Sequence, residues 1–515
     1  MELSSRGQPE SDNLPYLYLA RKLCDNLHYV CMQALLQLPE RVLFKFVAPR
    51  SVHLLNVIRL LPPALHRVAL EAKHPELNRK KLFLRYSYRG QSERFHTEIV
   101  DVLDTISSHF SGLHVLELDT GIVFNREESK SLTLSLKLSA TLQSLTHLVR
   151  LQIIGGLNSV LAAGLAEALP LMPELQRFDV LDMQDQLPAT GRGCFNNVLG
   201  SLARLRSLRS LKMCGFRDIS TAAISGFCAA LSQLRSLTAL CLRSCFHWSK
   251  GGTVPHWACG LHVPGEVGAA LVVLKGLKSL QLIECFSVDF IEPVLTAIGH
   301  IKSLTHLNLS RLSHMPPEMV PDRAYVPCFN VPEESGAANI EGHSIAPPNF
   351  LGDLNYQKRL SPMLQKLSAL QSLILSGSWM WGGDENMARS LCGLSRLTQL
   401  TLTGFHRPGS FWEAFGQRVT SLNCMRSLAL QDNDLLPLEA RQLLQGLATL
   451  PQLVCLRADV QPLATMYADL QTLTGLSRLE LLGEDSSYSS EDDALQLELS
   501  KSLGTLGNKV HIVKV

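Results

Sequence analysis

The chain has 515 residues, 46% apolar and 18% charged, a balance that excludes pervasive disorder and leaves room for one large repeat domain or several ordinary ones. Its formal net charge of +2 argues against a broad basic face for nucleic acid. No run reaches the roughly 18 apolar residues of a membrane helix, so neither nucleic acid nor membrane is expected as a partner.

The first residues, MELSSRGQPESDN, are polar and lack the apolar core of a signal peptide. Residues 1–13 are expected to be disordered, and the protein to work in the cytoplasm, with the nucleus as an alternative. Thirteen cysteines, an odd number without any CxxC pair, agree with a reducing compartment where most thiols act as small buried hydrophobes.

A helical segment is expected over residues 14–75. Tyr16, Leu19, Leu23, Leu27, Val30, Ala34 and Leu38 recur at helical steps. Pro39 then opens a second helix at a favoured early position, with Val42, Leu43, Phe46 and Val47 on its apolar face, and a third follows at 51–61. Such a segment can close the first repeat of an array as a cap, or it can dock on another protein.

The stretch LARKLCDNL, followed by LPERVLFKF, resembles the BC box and cullin box of SOCS-box and VHL-box proteins. The resemblance implies that Leu23, Cys24 and Leu27 enter a groove of elongin C, in its complex with elongin B. Leu38, Pro39, Val42 and Phe46 would then meet a cullin. The motif carries a leucine four residues before its cysteine, where this chain has Ala20; the register Leu27, Cys31, Leu35 fits that spacing but crowds the Leu-Pro pair. LPERVLFKFV also resembles the start of an F-box, continued by Val52, Leu54, Leu55 and Val57 but without the downstream Cys-x-x-Trp-like element, which implies an F-box-type adaptor instead.

Residues 76–110 form a transition into the first repeats. From 111 to 515 a leucine pattern recurs: LTHLVRLQI at 145–153, LRSLRSLKM at 205–213, LKGLKSLQL at 274–282, IKSLTHLNL at 301–309 and LSRLTQLTL at 394–402 are its clearest copies, and NKVHIVKV its last. It matches the leucine-rich repeat LxxLxLxxN/C. Side chains alternate along a strand, so Leu307 and Leu309 enter a core while Asn308 faces out. Cys245, Cys285 and Asn433 take the N/C position, expected to be buried against loop backbone; Phe216, Phe405 and Gly156 stand there in other units.

Regular units step by 27 to 29 residues, as from Leu280 to Leu307 or Leu400 to Leu428, which leaves room for a helix, and 158–172, 220–234 and 437–450 have helical apolar spacing. The pattern resembles the ribonuclease-inhibitor-like repeats. It implies an α/β leucine-rich-repeat solenoid, a horseshoe with a parallel β-sheet on the concave face and helices outside, preceded by the helical segment. A Pro-rich stretch at 314–350 reads as an inserted loop that can hide a degenerate unit.

The concave positions are Glu117, Gln152, Asp179, Lys212, Cys241, Gln281, Asn308, Ile374, Thr401, Ala429, Arg457 and Glu480. Their mixed, sparse charge favours a protein or peptide partner. Tryptophan and arginine are enriched at binding hot spots, and Trp248, Trp257, Trp379, Trp381 and Trp412 fall in loops after predicted strands, or in the insertion that continues such a loop, joined by Phe405, His406 and Arg407. Trp248, Trp379, Trp381, Phe405, His406, Arg407 and Trp412 are therefore read as a substrate-binding rim, against the alternative that they pack neighbouring loops.

Cys245, His247, His256, Cys259 and His262 offer zinc-type ligands but match no standard finger, so no metal is assigned. The acidic run EDSSYSSEDD at 484–493 reads as a solvated loop. No GxxxxGK[ST], HExxH, GxSxG or post-strand GxGxxG motif is present, and Arg243 alone does not make a catalytic site. No cofactor and no enzyme activity are expected. The whole organisation resembles PRAME-like and ZYG-11-like receptors, which implies a non-catalytic substrate receptor of a cullin-type ubiquitin ligase. A scaffold or sensor whose N-terminal helices only cap the repeats is the alternative.

Overall fold

Short strands of five or six residues, each built on an apolar-x-apolar frame, recur along the chain. The computed structural model describes residues 81–85, 103, 106–107, 113–119, 131–154, 159–181, 192–215, 221–245, 262–286, 291–310, 359–376, 384–405, 410–433, 435–459, 467–483 and 510–514. The chain divides into two units, Met1–Ser210 and Leu211–Val515.

In the first unit β1 (Lys81–Arg85), β2 (Val115–Asp119), β3 (Arg150–Ile154) and β4 (Arg177–Leu181) pair in parallel, in chain order. Leu82, Leu116, Leu151 and Phe178 stand in one register row. Strand β1 lies in the stretch read as a transition into the repeats.

The second unit holds β5 (Ser210–Cys214, all but its first residue), β6 (Ala239–Arg243), β7 (Ser279–Ile283), β8 (His306–Ser310) and β9 (Ser372–Ser376). Strands β10 (Gln399–Thr403), β11 (Ser427–Gln431), β12 (Cys455–Asp459), β13 (Arg478–Gly483) and β14 (Val510–Lys514) follow. Neighbours are again consecutive in the chain and, from β6 onward, parallel, with Leu240, Leu280, Leu307, Leu373, Leu400, Leu428, Leu456, Leu479 and Val510 in one row. The two long intervals do not interrupt the ladder, because β6 pairs directly with β7 and β8 directly with β9. The 314–350 insertion lies outside the described residues.

Parallel neighbours require a crossover, and helices supply it. In the first unit these are α1 (Ser131–Ser144), α2 (Ser159–Ala168) and α3 (Arg192–Leu202). In the second they are α4 (Thr221–Gln233), α5 (His262–Val273), α6 (Glu292–Ile298), α7 (Glu385–Cys392), α8 (Phe411–Arg418), α9 (Pro437–Ala448) and α10 (Tyr467–Gln471). The expected helices at 158–172, 220–234 and 437–450 correspond to α2, α4 and α9. Successive helices pack on each other, α1 on α2, α5 on α6 and α8 on α9 among them.

Glycine sets three of these contacts. A Cβ added to Gly164 in α2 would lie 2.7 Å from the Ser135 carbonyl oxygen in α1, and one on Gly268 in α5 would lie 2.8 Å from that of Pro293 in α6. On Gly446 in α9 it would overlap the Gly416 carbonyl oxygen of α8 and lie 2.6 Å from Val419 Cγ1. Between helices and strands leucine is the commonest core residue; Leu151, Leu208, Leu280, Leu373 and Leu400 are all at most 1% exposed.

The end of each strand explains the N/C position. The Cys245 Sγ donates to the carbonyls of Met213 and Arg243, both at 3.3 Å, and the Cys285 Sγ to those of Leu242 at 3.1 Å and Ile283 at 3.3 Å. Asn433 does more: its Oδ1 accepts from Phe405 N at 2.9 Å and its Nδ2 donates to the Leu402 carbonyl at 3.0 Å. These side chains terminate strand backbone that would otherwise be buried without partners. The residue before each of them turns left-handed, with φ of 48° at Ser244, 56° at Glu284 and 52° at Asp432; Gly215 and Gly404 do the same at 83° and 77°. That turn aims a backbone N–H at the following repeat: Gly215 N reaches Arg243 O, Ser244 N reaches Ile283 O, and Glu284 N reaches Ser310 O. Both units are thus built as α/β leucine-rich-repeat solenoids.

Candidate partner-binding face

Two of every five strand residues point into the core, and the other three form the opposite, open face of the sheet. The third strand position carries the expected row. In the first unit Glu117, Gln152 and Asp179 are in register. In the second, Cys241, Gln281, Asn308, Ile374, Thr401, Ala429, Arg457 and Glu480 are in register, and Lys212 holds the same position of β5. Most are half-buried by their neighbours, so the row is a lined surface and not a fringe of free side chains.

Charge is not spread evenly along it. In the first unit the Asp179 side chain is 1% exposed, and its Oδ2 accepts from Arg177 Nε at 2.7 Å and lies 3.6 Å from Arg150 Nη2. Arg150 Nη2 also donates to Gln152 Oε1. In the second unit Glu480 is held the same way, between Arg478 and Arg457, with Arg457 Nε 3.5 Å from its Oε2. In both places an arginine at the first position of the strand folds over the carboxylate two residues on, and the preceding strand adds a second arginine. Sequence reasoning placed Gln152, Asp179, Arg457 and Glu480 on the face, but neither Arg150, Arg177 and Arg478 nor the clusters they form.

From β6 to β11 the open face is different. Its residues are Ser, Thr, Gln, Asn, Ala, Ile and Cys, and Arg243 and His306 are the exceptions. Arg243 is exposed at the end of β6, and no ion pair holds it among the described residues. The Oδ1 of Asn308, midway along, is buried without a hydrogen-bond partner.

The rim expected from the aromatic residues is corrected in part. Phe405 and Trp412 are 0% exposed. They pack with Phe411 and Phe415, at ring-centroid distances of 4.9 Å for Phe405–Phe411, 5.6 Å for Phe405–Trp412 and 4.9 Å for Phe411–Trp412. Trp412 is not in a loop: it sits in the first turn of α8, which turns the indole inward. Phe405 follows the left-handed Gly404 and fills the buried N/C position, so neither ring offers itself to a partner. Trp248, Trp379, Trp381, His406 and Arg407 lie outside the described residues, as do the adaptor-binding positions Leu23, Cys24, Leu27, Leu38, Pro39, Val42 and Phe46.

Of the Cys/His cluster at 245–262, Cys245 is buried and occupied with strand carbonyls, and among the described residues no group of three His, Cys, Asp or Glu side chains could hold a metal ion. Burial, with a smaller contribution from Glu266, pushes the Cys228 thiol up to about 12. Burial does the same to Cys392, against the opposing pull of Arg418 and Ser421. Both are inert core thiols at neutral pH. No helix among the described residues is long and apolar enough to cross a membrane.

No family model matches the chain, and no curated protein matches it. Among solved structures it is similar to the yeast complex of Rad7 and Elc1, with 13% identity and a TM-score of 0.42 over 93% of this chain and 91% of that one. It is also similar to the complex of TLR13 with ssRNA13, with 12% identity and a TM-score of 0.30 over 81% of this chain and 59% of that one. The fold assignment rests on the registered strands themselves.

Proposed function

We propose that the chain is a protein–protein interaction module that acts as a non-catalytic substrate receptor of a cullin-type ubiquitin ligase. The observation that carries the reading is the registered open face, which presents a lined row of side chains to a partner over consecutive strands. The N-terminal segment supplies the second half of the argument. Its LARKLCDNL and LPERVLFKF stretches stand in the order of a BC box followed by a cullin box, so Leu23, Cys24 and Leu27 bind elongin C, and Leu38, Pro39, Val42 and Phe46 meet the cullin. An F-box-type adaptor is the variant of the same idea. Trp248, Trp379, Trp381, His406 and Arg407 remain proposed contacts to the substrate. The chemistry belongs to the other subunits.

One feature favours a scaffold whose N-terminal helices only cap the repeats: Ala20 stands where the BC box carries leucine. Affinity purification of the full chain, compared with a version lacking residues 1–60, separates the two readings. Elongin B, elongin C and a cullin should co-purify with the full chain alone. A Leu23→Ser/Cys24→Phe double variant should lose them while its repeats unfold at the parent's urea midpoint. Unfolding of the whole chain in that variant would instead identify the segment as a cap.

A further inference from the structure

We infer that the open face from β6 to β11 binds an extended polypeptide segment of about seven uncharged residues, with an acidic residue at the end that meets Arg243. The inference rests on the reading of this face as a partner surface and names the class of partner. Three observations carry it. Gln281, Asn308, Ile374, Thr401 and Ala429 follow one another in register without a single charge. A charged side chain laid over such a row would lose its water and gain no counter-ion, which is costly. Short amide, hydroxyl and aliphatic groups, in contrast, let a peptide backbone approach closely.

The second observation is Asn308 Oδ1, an acceptor buried at the middle of the row without a hydrogen-bond partner. Asn308 as a whole is half-exposed, so turning its amide over brings this acceptor to the open face, where a peptide N–H satisfies it. The third is the asymmetry of the two ends. At β12 and β13 Arg457 and Arg478 share Glu480, and Asp459 at the end of β12 balances the remaining charge of that end, whereas at β6 the exposed Arg243 has no ion pair among the described residues. Charge complementarity therefore calls for one carboxylate, at the β6 end. Six strands at a spacing of about 4.8 Å span roughly 24 Å, which about seven extended residues cover.

The test is a phage-displayed random peptide selection against the full chain, followed by titration of the selected synthetic peptides. Selected sequences should carry a run of about seven residues free of Lys, Arg, Asp and Glu, closed at one end by Asp or Glu. Thr401→Arg, on a half-exposed side chain, should weaken binding at least about tenfold with the urea midpoint unchanged. Arg243→Glu should do the same to an acid-ended peptide and restore binding when that residue is changed to lysine. Selection of charged runs, failure to select any sequence, or binding indifferent to both variants overturns the inference. So does a concentration-dependent dimer in sedimentation that Thr401→Arg abolishes, since a second copy would then occupy the face. No adaptor enters this experiment, so its failure leaves the ligase reading standing, and loss of elongin co-purification leaves this one standing.

Discussion

Replacing Gly446 by alanine tests whether the helix layer is packed by glycine contact. The substitution improves helix propensity by about 1 kcal/mol, and on an isolated helix it would stabilise. In the structure the new methyl overlaps the Gly416 carbonyl oxygen and lies 2.6 Å from Val419 Cγ1, about an ångström inside the ordinary 3.5–4.0 Å separation of carbon atoms. Backbone carbonyl oxygen cannot rotate away as a side chain would, so α8 and α9 must separate. Overpacking costs about 1–3 kcal/mol; overlap with backbone places this site in the upper part of that range, about 2–3 kcal/mol, and the net expectation after the propensity gain is a loss of about 1–2 kcal/mol. Gly226 in α4 is the control, because a Cβ there meets nothing within 4 Å; Gly226→Ala should be neutral or gain up to about 1 kcal/mol. Urea unfolding gives the midpoints, and hydrogen exchange of the α8 and α9 amides localises the effect. Equal stability of the Gly446→Ala protein and its parent, or a larger loss in Gly226→Ala, would refute the reasoning.

Asn433→Ala should cost about 2–4 kcal/mol in urea unfolding, because it strands both the Phe405 N–H and the Leu402 carbonyl that the side chain serves. Asp179→Ala should cost about 2 kcal/mol in the same assay. That is less than the 3–5 kcal/mol of a fully buried pair, since Arg150 and Arg177 reach solvent. Cys228 and Cys392, pushed up to about 12, should resist alkylation at pH 8 in the folded protein and react once it is unfolded, as mass spectrometry of labelled peptides will show. Their folded-state values lie above the ordinary 9.0, so the stability they contribute is fully present below pH 9 and is lost as the pH rises towards 12.

The strands were legible because their frame has period two and recurs: Leu280-Gln281-Leu282 announces both the core and the open face. Helices α2, α4 and α9 were legible from apolar spacing within the interval that the repeat length leaves. The outward row followed from alternation alone, and Cys245, Cys285 and Asn433 from the motif. The salt-bridged clusters were not legible, since Arg150 and Asp179 meet only through the β3–β4 register. Nor was the left-handed turn at Ser244, Glu284 and Asp432, because glycine advertises that backbone in a sequence, aspartate only weakly, and serine and glutamate not at all. Trp412 was misread for a related reason. The string GSFWEAF looks like loop until α8 is seen to start at Phe411, and one turn of helix decides whether an indole faces water or a phenyl ring.

The left-handed exits have a consequence for how the protein is made. The amide of Ser244 finds its acceptor on Ile283, and that of Glu284 finds its own on Ser310, so the finish of one repeat is supplied by residues that leave the ribosome later. During synthesis the newest coil always waits with an open seam for its successor. A stalled ribosome would therefore leave one unfinished edge at the growing tip, while everything behind it is already closed.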